Sequence, residues 1–385
     1  MNGSECAQPS AERSLQSRVQ ISSGARVPEL DGARGVAVLA VVIAHYFGEV
    51  EHALIGFSFG WMGVSLFFVL SGFLIGSIIL ERKDSSNFLS VFYIRRALRI
   101  LPVYFVMLAA TLGFIWLYGS APWIDMPLSA PSYFTFTQNF VMAWRGEIGT
   151  LWLLPTWTLA VEEQFYLVVP LLIMFIPARA LLPAIISGIA LCLLTRVLLY
   201  ATGADAASRL LLFSNGHILL IGVLAAYIHQ HIKVPEIILR LIPLASIVAF
   251  DVIIFTTHDH VFLAFMAPLF ASYILLAAQG WAKLRFLRSR LLRSFGAISY
   301  CLYLIHQPVN GVLHGLILGG RPDIATAPQI LVTCTAVIVS ISIAALSWFA
   351  LEQPLLRLAR RKSYSQSRMM VSKPIVSRSL LENRC

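Results

Sequence analysis

The sequence predicts an all-α polytopic membrane protein with about ten transmembrane helices and both termini cytoplasmic. Three observations carry that prediction. Hydrophobic residues make up 58% of the 385 residues and charged residues only 12%, about half the charged share of an average soluble domain. Apolar runs near the ~20 residues needed to cross a hydrocarbon core recur along the whole chain. The 29 Lys and Arg residues crowd onto alternate sides of those runs.

Residues 1–29 are polar and Ser-rich and lack the signal-peptide pattern of an apolar core ending at a small-residue cleavage site. They are expected to form a disordered cytoplasmic tail. Residues 30–356 are expected to form the membrane domain. Its apolar runs fall at about 35–50, 57–80, 98–118, 152–176, 180–200, 210–229, 235–256, 260–279, 295–319 and 327–350. The stretch "PSYFTFTQNFVMAW" between the third and fourth is more polar and is placed at the outer interface. Residues 357–385, opening "RLARRKSYSQSRMM", are basic and expected to be a largely unstructured cytoplasmic tail.

Basic residues test the span count. One side receives Arg13, Arg18, Arg26 and Arg34, the loop cluster Arg82 to Arg99, then Arg179, Lys233, Arg240, Lys283 to Arg293, and the C-terminal tail. The other side receives Arg145, Arg209 and Arg321. A missed helix would invert every later loop, so this asymmetry supports both the count and the cytoplasmic termini. The formal net charge of +10 is explained by topology, and no nucleic-acid partner is expected. Apolar helices fit a bacterial inner membrane rather than an outer-membrane barrel.

Ionisable residues inside apolar spans are costly and therefore candidates for function. His45 interrupts the first run, eleven residues and about 16 Å along a helix from Arg34. Three turns separate them, so their side chains are expected to point in similar directions. Glu162 and Glu163 are adjacent in "WTLAVEEQFYLVVPLL", with Tyr166 three positions after Glu163. Arg96 and Arg99 share a helix face in "YIRRALRILP"; anionic lipid headgroups and a phosphate-rich ligand would each suit them. His306 follows Tyr300 and Tyr303 in "SYCLYLIHQP" and should reach a depth similar to His45. Arg196 and His217 are read as network or substrate contacts. The small residues Gly63, Ser65, Ser71, Gly72 and Gly76 of the second run are read as packing positions.

No metal is expected. The five cysteines have no metal-ligand spacing, and no His-Glu-x-x-His helix motif occurs. His258 and His260 are placed in an outer loop.

An anion handle at the cytoplasmic end, a proton acceptor deeper in the same helix, and carboxylates on a second helix fit a long ligand with a phosphorylated end and a reactive end. An acyl coenzyme A has that shape, and its thioester calls for a general base or a nucleophile.

The quoted motifs, together with "LDGARGVAVLAVVIAH" and "GVSLFFVLSGFLI", resemble those of integral-membrane acyltransferase family 3 over about residues 26–356. The resemblance implies ten core helices and transfer of an acyl group, expected to be acetyl, from cytoplasmic acyl-CoA to a hydroxyl of a cell-surface or exported carbohydrate. It maps the family's arginine-ten-residues-histidine pattern onto Arg34 and His45, its Arg-x-x-Arg pattern onto Arg96 and Arg99, and its glutamate motif onto Glu162 and Glu163. Ala33 stands where the family's opening motif carries a second Leu, which removes apolar volume but no chemistry. The implied partners are acyl-CoA, a carbohydrate or glycolipid acceptor, membrane lipids and polysaccharide-assembly proteins.

The expected mechanism has Arg34, Arg96 and Arg99 hold the donor phosphates. His45 acts as base or transient acyl carrier, and Glu162 or Glu163 orients it. Two alternatives stand beside it: a proton-coupled secondary transporter using the same His, Glu and Arg residues, and acylation of a small molecule such as a macrolide. Tyr133, Phe134 and Trp152 are candidate sugar-stacking or interface-anchoring aromatics.

Overall fold

The computed structural model describes residues 27–54, 57, 60–256 and 263–365. His258, His260 and the outer parts of both expected tails lie outside them. The described chain is helical throughout, without strands among the described residues.

Helix α1 (Pro28–Ile43) opens on a proline in its first turn, where a missing N–H costs nothing. It runs into a π-helical turn at Ala44–Gly48. Next come α2 (Trp61–Arg82) and α3 (Phe88–Tyr118), which carries Pro102 inside it. Short helices α4 (Ala130–Phe134) and α5 (Gln138–Arg145) follow. At five and eight residues neither can cross a bilayer, as expected for the 131–144 stretch. The chain continues through α6 (Thr156–Phe175), α7 (Ala178–Ala201), the short α8 (Asp205–Leu210) and α9 (Leu212–His231). Beyond these lie α10 (Glu236–Thr256), α11 (Leu263–Ala278), α12 (Arg290–Leu318) and α13 (Ala327–Ser347). A second π turn at Trp348–Glu352 leads into α14 (Gln353–Arg361).

Each of the ten predicted runs overlaps a helix among the described residues. Eight helices among the described residues are long and apolar enough to cross a membrane. The seventh and eighth runs are occupied by α10 and by α11, whose described apolar stretch is shorter.

The bundle centres on α1, α2, α9 and α12. Helix α1 packs on α2 and α12, α2 packs on α9, and α12 packs on α13. Small residues set these distances. A Cβ on Gly35 would lie 2.0 Å from the Leu292 carbonyl oxygen, and one on Gly296 would lie 1.9 Å from that of Asp31. Backbone contact this close needs glycine on both helices. It locks α1 against α12, the two elements that carry His45 and His306. In the same way, Gly72 of α2 meets Leu219 and Gly222 of α9, so the packing expectation for the second run holds there.

Two expectations need correction. The segment after Arg357 is ordered through Ser365, not unstructured from its start. Helix α14 turns Ala359 inward and leaves Arg360 and Arg361 outside, and packs on α3. The Arg95 guanidinium donates to the Lys362 carbonyl, and Asn87 bonds Ser363 and Ser365. Satisfied backbone groups and a buried face outweigh the polar composition. Of the aromatic trio, only Phe134 is exposed. Tyr133 is buried, its carbonyl accepting from the Tyr104 hydroxyl, and Trp152 lies over Gly311.

Candidate active site

The first run is regular α-helix from Arg34 to Ile43 and changes pitch at Ala44. His45 stands in this π turn and meets α12. Such bulges recur at functional sites because they re-aim one side chain within a continuing helix. His45 and His306 meet there. His45 Nδ1 lies 2.6 Å from His306 Nε2, and the ring planes are parallel within 1°.

The proton positions follow from the acceptors. His306 Nδ1 is 3.2 Å from the Leu302 carbonyl oxygen, which can only accept, so Nδ1 carries the hydrogen. Nε2 of the neutral His306 ring is then an acceptor, and His45 Nδ1 donates to it. Neutral His45 is left with its lone pair on Nε2. That atom is 3.4 Å from Glu49 Oε2. Burial pushes the Glu49 carboxyl above its ordinary value, although its outer edge is open to solvent at 43% exposure. Neutral His45 offers Nε2 as a base, and an ionised Glu49 pairs with the imidazolium formed when that nitrogen takes up a proton.

Neighbouring groups fix this dyad. The Tyr46 hydroxyl donates to the His306 carbonyl at 2.7 Å and meets Ser340 Oγ of α13 at 2.9 Å. His306 is fully buried. Tyr303, one turn earlier, has its ring centroid 5.9 Å from that of His306. Its hydroxyl is 2.8 Å from Thr158 Oγ1 at the start of α6.

Toward the basic face, a cavity of about 100 Å³ opens between α1, α2, α3, α6 and α12. Arg34, Arg96, Arg99 and Glu162 line its basic end, and Phe67, Leu159 and Tyr303 are also on its wall. The cavity thus joins the predicted arginines to the residue that touches the histidine pair. Arg34 pairs with Asp31 at 3.6 Å. The Arg96 guanidinium lies 5.5 Å from the Tyr166 ring centroid, and Tyr166 OH is hydrogen-bonded to Ser71 Oγ. The Tyr300 hydroxyl donates to the Ile100 carbonyl at 2.9 Å, holding α12 against α3.

The structure therefore brings together Arg34, Arg96, Arg99, Glu162 and Tyr300 around one cavity, and His45 with His306 beyond its Tyr303 wall. Glu162 and Glu163 do not occupy the place expected for them. The hydrogen-bond and ion-pair partners of His45 are His306 and Glu49. Glu162 lines the cavity with Ser71, Tyr166, Arg96 and Arg99, and Glu163, which does not line it, keeps a buried Oε1 without a hydrogen-bond partner. Fixed guanidinium charges attract a carboxylate more strongly than a neutral imidazole does. Arg196 and His217 belong elsewhere. Arg196 Nη1 donates to Asn215 Oδ1 at 3.0 Å, and His217 Nδ1 bonds the Ser214 carbonyl at 2.8 Å. Neither lines the cavity.

The site residues that sequence reasoning passed over are Glu49 and Tyr303 as wall and partner, and Ser71, which was read as packing. Glu49 carried a signal, since it lies four positions after His45 in "HYFGE". At the outer face, Glu51, His52 and Asp323 place ligand-type atoms within 4.8 Å of one another. His52 already spends its amide and Nδ1 on Asp323, at 3.0 and 2.7 Å, which ties the loop after α1 to the loop after α12.

The sequence model described as an acyltransferase domain matches residues 27–349. The chain is 27% identical over 324 residues to the Staphylococcus aureus protein named "Putative O-acetyltransferase SACOL0978", covering 77% of this chain and 52% of that one. It is 31% identical over 195 residues to the peptidoglycan O-acetyltransferase OatA of Listeria monocytogenes, covering 46% and 30%. The Bacillus subtilis protein "Putative peptidoglycan O-acetyltransferase YrhL" is 31% identical over 192 residues, covering 46% and 29%. The chain spans about half or less of the length of these relatives. No solved structure matches it. With the match extending from the start of α1 to the end of α13, through every element that builds the cavity and the histidine pair, the chain belongs to the acyltransferase domain family.

Proposed function

We propose that this protein transfers an acyl group, acetyl by preference, from acyl-CoA to a hydroxyl of a cell-surface or exported carbohydrate at a bacterial inner membrane. The observation that carries the reading is a guanidinium-rich cavity whose wall includes Tyr303, the residue whose ring lies 5.9 Å from that of His306 in the histidine pair. Arg34, Arg96 and Arg99 offer forked donors to phosphate oxygens. The apolar wall of Phe67 and Leu159 suits the uncharged pantetheine arm. Glu162, among the arginines, holds them in place and offers an acceptor to the arm's amides.

The acceptor hydroxyl reaches His45 from the outer side. His45 Nε2 takes its proton as the oxygen attacks the thioester carbon. The C–S bond of the tetrahedral adduct breaks, and the imidazolium returns the proton to the departing sulfur. The products are the O-acyl ester and CoA thiol, with no net proton. During the step, His306 Nε2 keeps the Nδ1–H of His45 fixed, and ionised Glu49 stabilises the imidazolium. The carbohydrate class follows the relatives named for peptidoglycan O-acetylation.

The test uses purified full-length protein in lipid vesicles with labelled acetyl-CoA, together with mass spectrometry of surface glycans from cells with and without the chain. The expected result is a donor-dependent label on a sugar hydroxyl and a 42-Da acetyl increment (order of magnitude ~40 Da) that disappears with the chain. An unchanged glycan mass profile and no labelled ester in vesicles would refute the reading.

A further inference from the structure

We propose that the C-terminal segment Gln353–Ser365 completes the nucleotide end of the donor site, with the 3′-phosphate of acyl-CoA held in the cavity it forms with α3. This rests on the donor reading above and names the subsite within it.

A second cavity, of about 210 Å³, lies between α3 and the C-terminal segment. Arg95, Arg96 and Arg99 line it from α3, and Arg360 and Tyr364 from the C-terminal side. None of the described residues lining it is acidic. Four guanidinium groups sharing a small cavity without an acid on its wall repel one another, and a multiply charged anion relieves that repulsion. The wall is built rather than incidental. Arg95 donates to the Lys362 carbonyl at 3.0 and 2.5 Å, and its guanidinium stands 4.9 Å from the Tyr364 ring centroid. Tyr364 stacks on Phe88 at 6.1 Å, and Ser365 bonds Ser86 and Asn87.

A third cavity, of about 380 Å³, adjoins on the α1–α12 side and is lined by Arg34, Arg99, Arg290 and Arg293. Its wall also carries Asp31 and Glu352, so half of its formal positive charge is offset within the protein, whereas none is in the C-terminal cavity. That difference assigns the phosphate monoester, a dianion, to the C-terminal cavity. Arg99 lines all three cavities and Arg96 lines two of them. The diphosphate of the donor therefore sits at these shared arginines, with the pantetheine arm running inward and the 3′-phosphate outward.

The experiment compares acetyl-CoA with acetyl-3′-dephospho-CoA on the full-length protein, with direct binding of adenosine 3′,5′-bisphosphate as a second readout. In the wild type, removal of the 3′-phosphate is expected to raise KM about tenfold, as for loss of one charge-assisted contact. In Arg360→Ala the gap is expected to shrink to about threefold or less, with KM for acetyl-CoA raised and kcat at saturating donor retained. Arg285→Ala, an exposed basic-face residue outside the three cavities, is expected to keep the full gap. A gap that survives in Arg360→Ala, or that collapses in Arg293→Ala instead, overturns the assignment. If acetyl-CoA proves no donor at all, the acyl-transfer reading fails separately. Bisphosphate binding weakened by Arg360→Ala would then still support the subsite, and absent wild-type binding would refute it.

Discussion

Two polar clusters are buried among these helices, and they differ in where their bonds go. The Arg196 cluster turns inward on the local chain. Arg196 reaches Asn215, Asn215 donates to the Arg209 and Leu211 carbonyls at 2.7 and 3.1 Å, and His217 bonds Ser214. These contacts pin the loop between α7 and α9 through α8. The His45 cluster reaches across the bundle, from the π turn of α1 to α12 and, through Tyr46, to α13. It leaves His45 Nε2 3.4 Å from the Glu49 carboxyl, beyond the wall of a cavity. The difference teaches that an ionisable group inside a span is a candidate only until its partners are known. Bonds confined to one loop and its flanking helices make a fastening. An imidazole nitrogen that faces a carboxylate near a cavity makes proton transfer available.

Substitutions can break or sharpen that contrast. His306→Ala removes the acceptor that sets the His45 tautomer and is expected to lower kcat by about 10²-fold or more, the usual range for disabling a general base. Donor KM should change little, because His306 lies outside the arginine end of the cavity. Steady-state rates at varied acetyl-CoA check this. Glu49→Gln keeps a neutral partner on Nε2 but loses the negative charge facing the imidazolium. A decrease of about tenfold in kcat is expected, with an unchanged thermal midpoint. Arg196→Ala should behave in the opposite sense, with kcat within a few-fold of wild type and stability lowered by roughly 1–3 kcal/mol, as for a buried acceptor left without its donor. Thermal unfolding in detergent, read beside activity, separates the two clusters.

The smallest effect belongs to the outer tie between His52 and Asp323. Desolvation opposes ionisation of Asp323, but hydrogen bonds from the His52 and Ile324 amides and the His52 ring outweigh it and hold the carboxyl below its ordinary value. A depressed folded-state value contributes stability above the unfolded value, about pH 4, and loses it as pH falls through the folded one. The stability difference between wild type and Asp323→Asn should therefore be flat above about pH 4 and shrink below it. For so exposed a pair it should amount to only about 0.2–1 kcal/mol.

The sequence made the spans legible because each helix carries its own signal in about twenty residues of apolar side chain, and alternate loops carry the arginines. Arg34, Arg96 and Arg99 were legible for a similar reason: charge at the edge of an apolar run, at helical spacing. The pairing of His45 with His306 was not, since 260 intervening residues separate partners whose meeting depends on Gly35 and Gly296 and on a local change of helix pitch. Glu162 and Glu163 were visible as costly carboxylates, but their partners are set by which helix faces theirs. The C-terminal segment misled for a further reason. Its composition is that of a solvated tail, and its order comes from partners on α3 that no local window contains.

The central claim is that His45 Nε2 is the base at the meeting point of donor and acceptor. Single-turnover transfer from labelled acetyl-CoA, measured in His45→Ala beside wild type at matched donor occupancy, tests it most directly. The account predicts a rate lower by about 10³-fold, with acetyl-CoA binding retained through the arginines. Transfer at the wild-type rate in His45→Ala would contradict it.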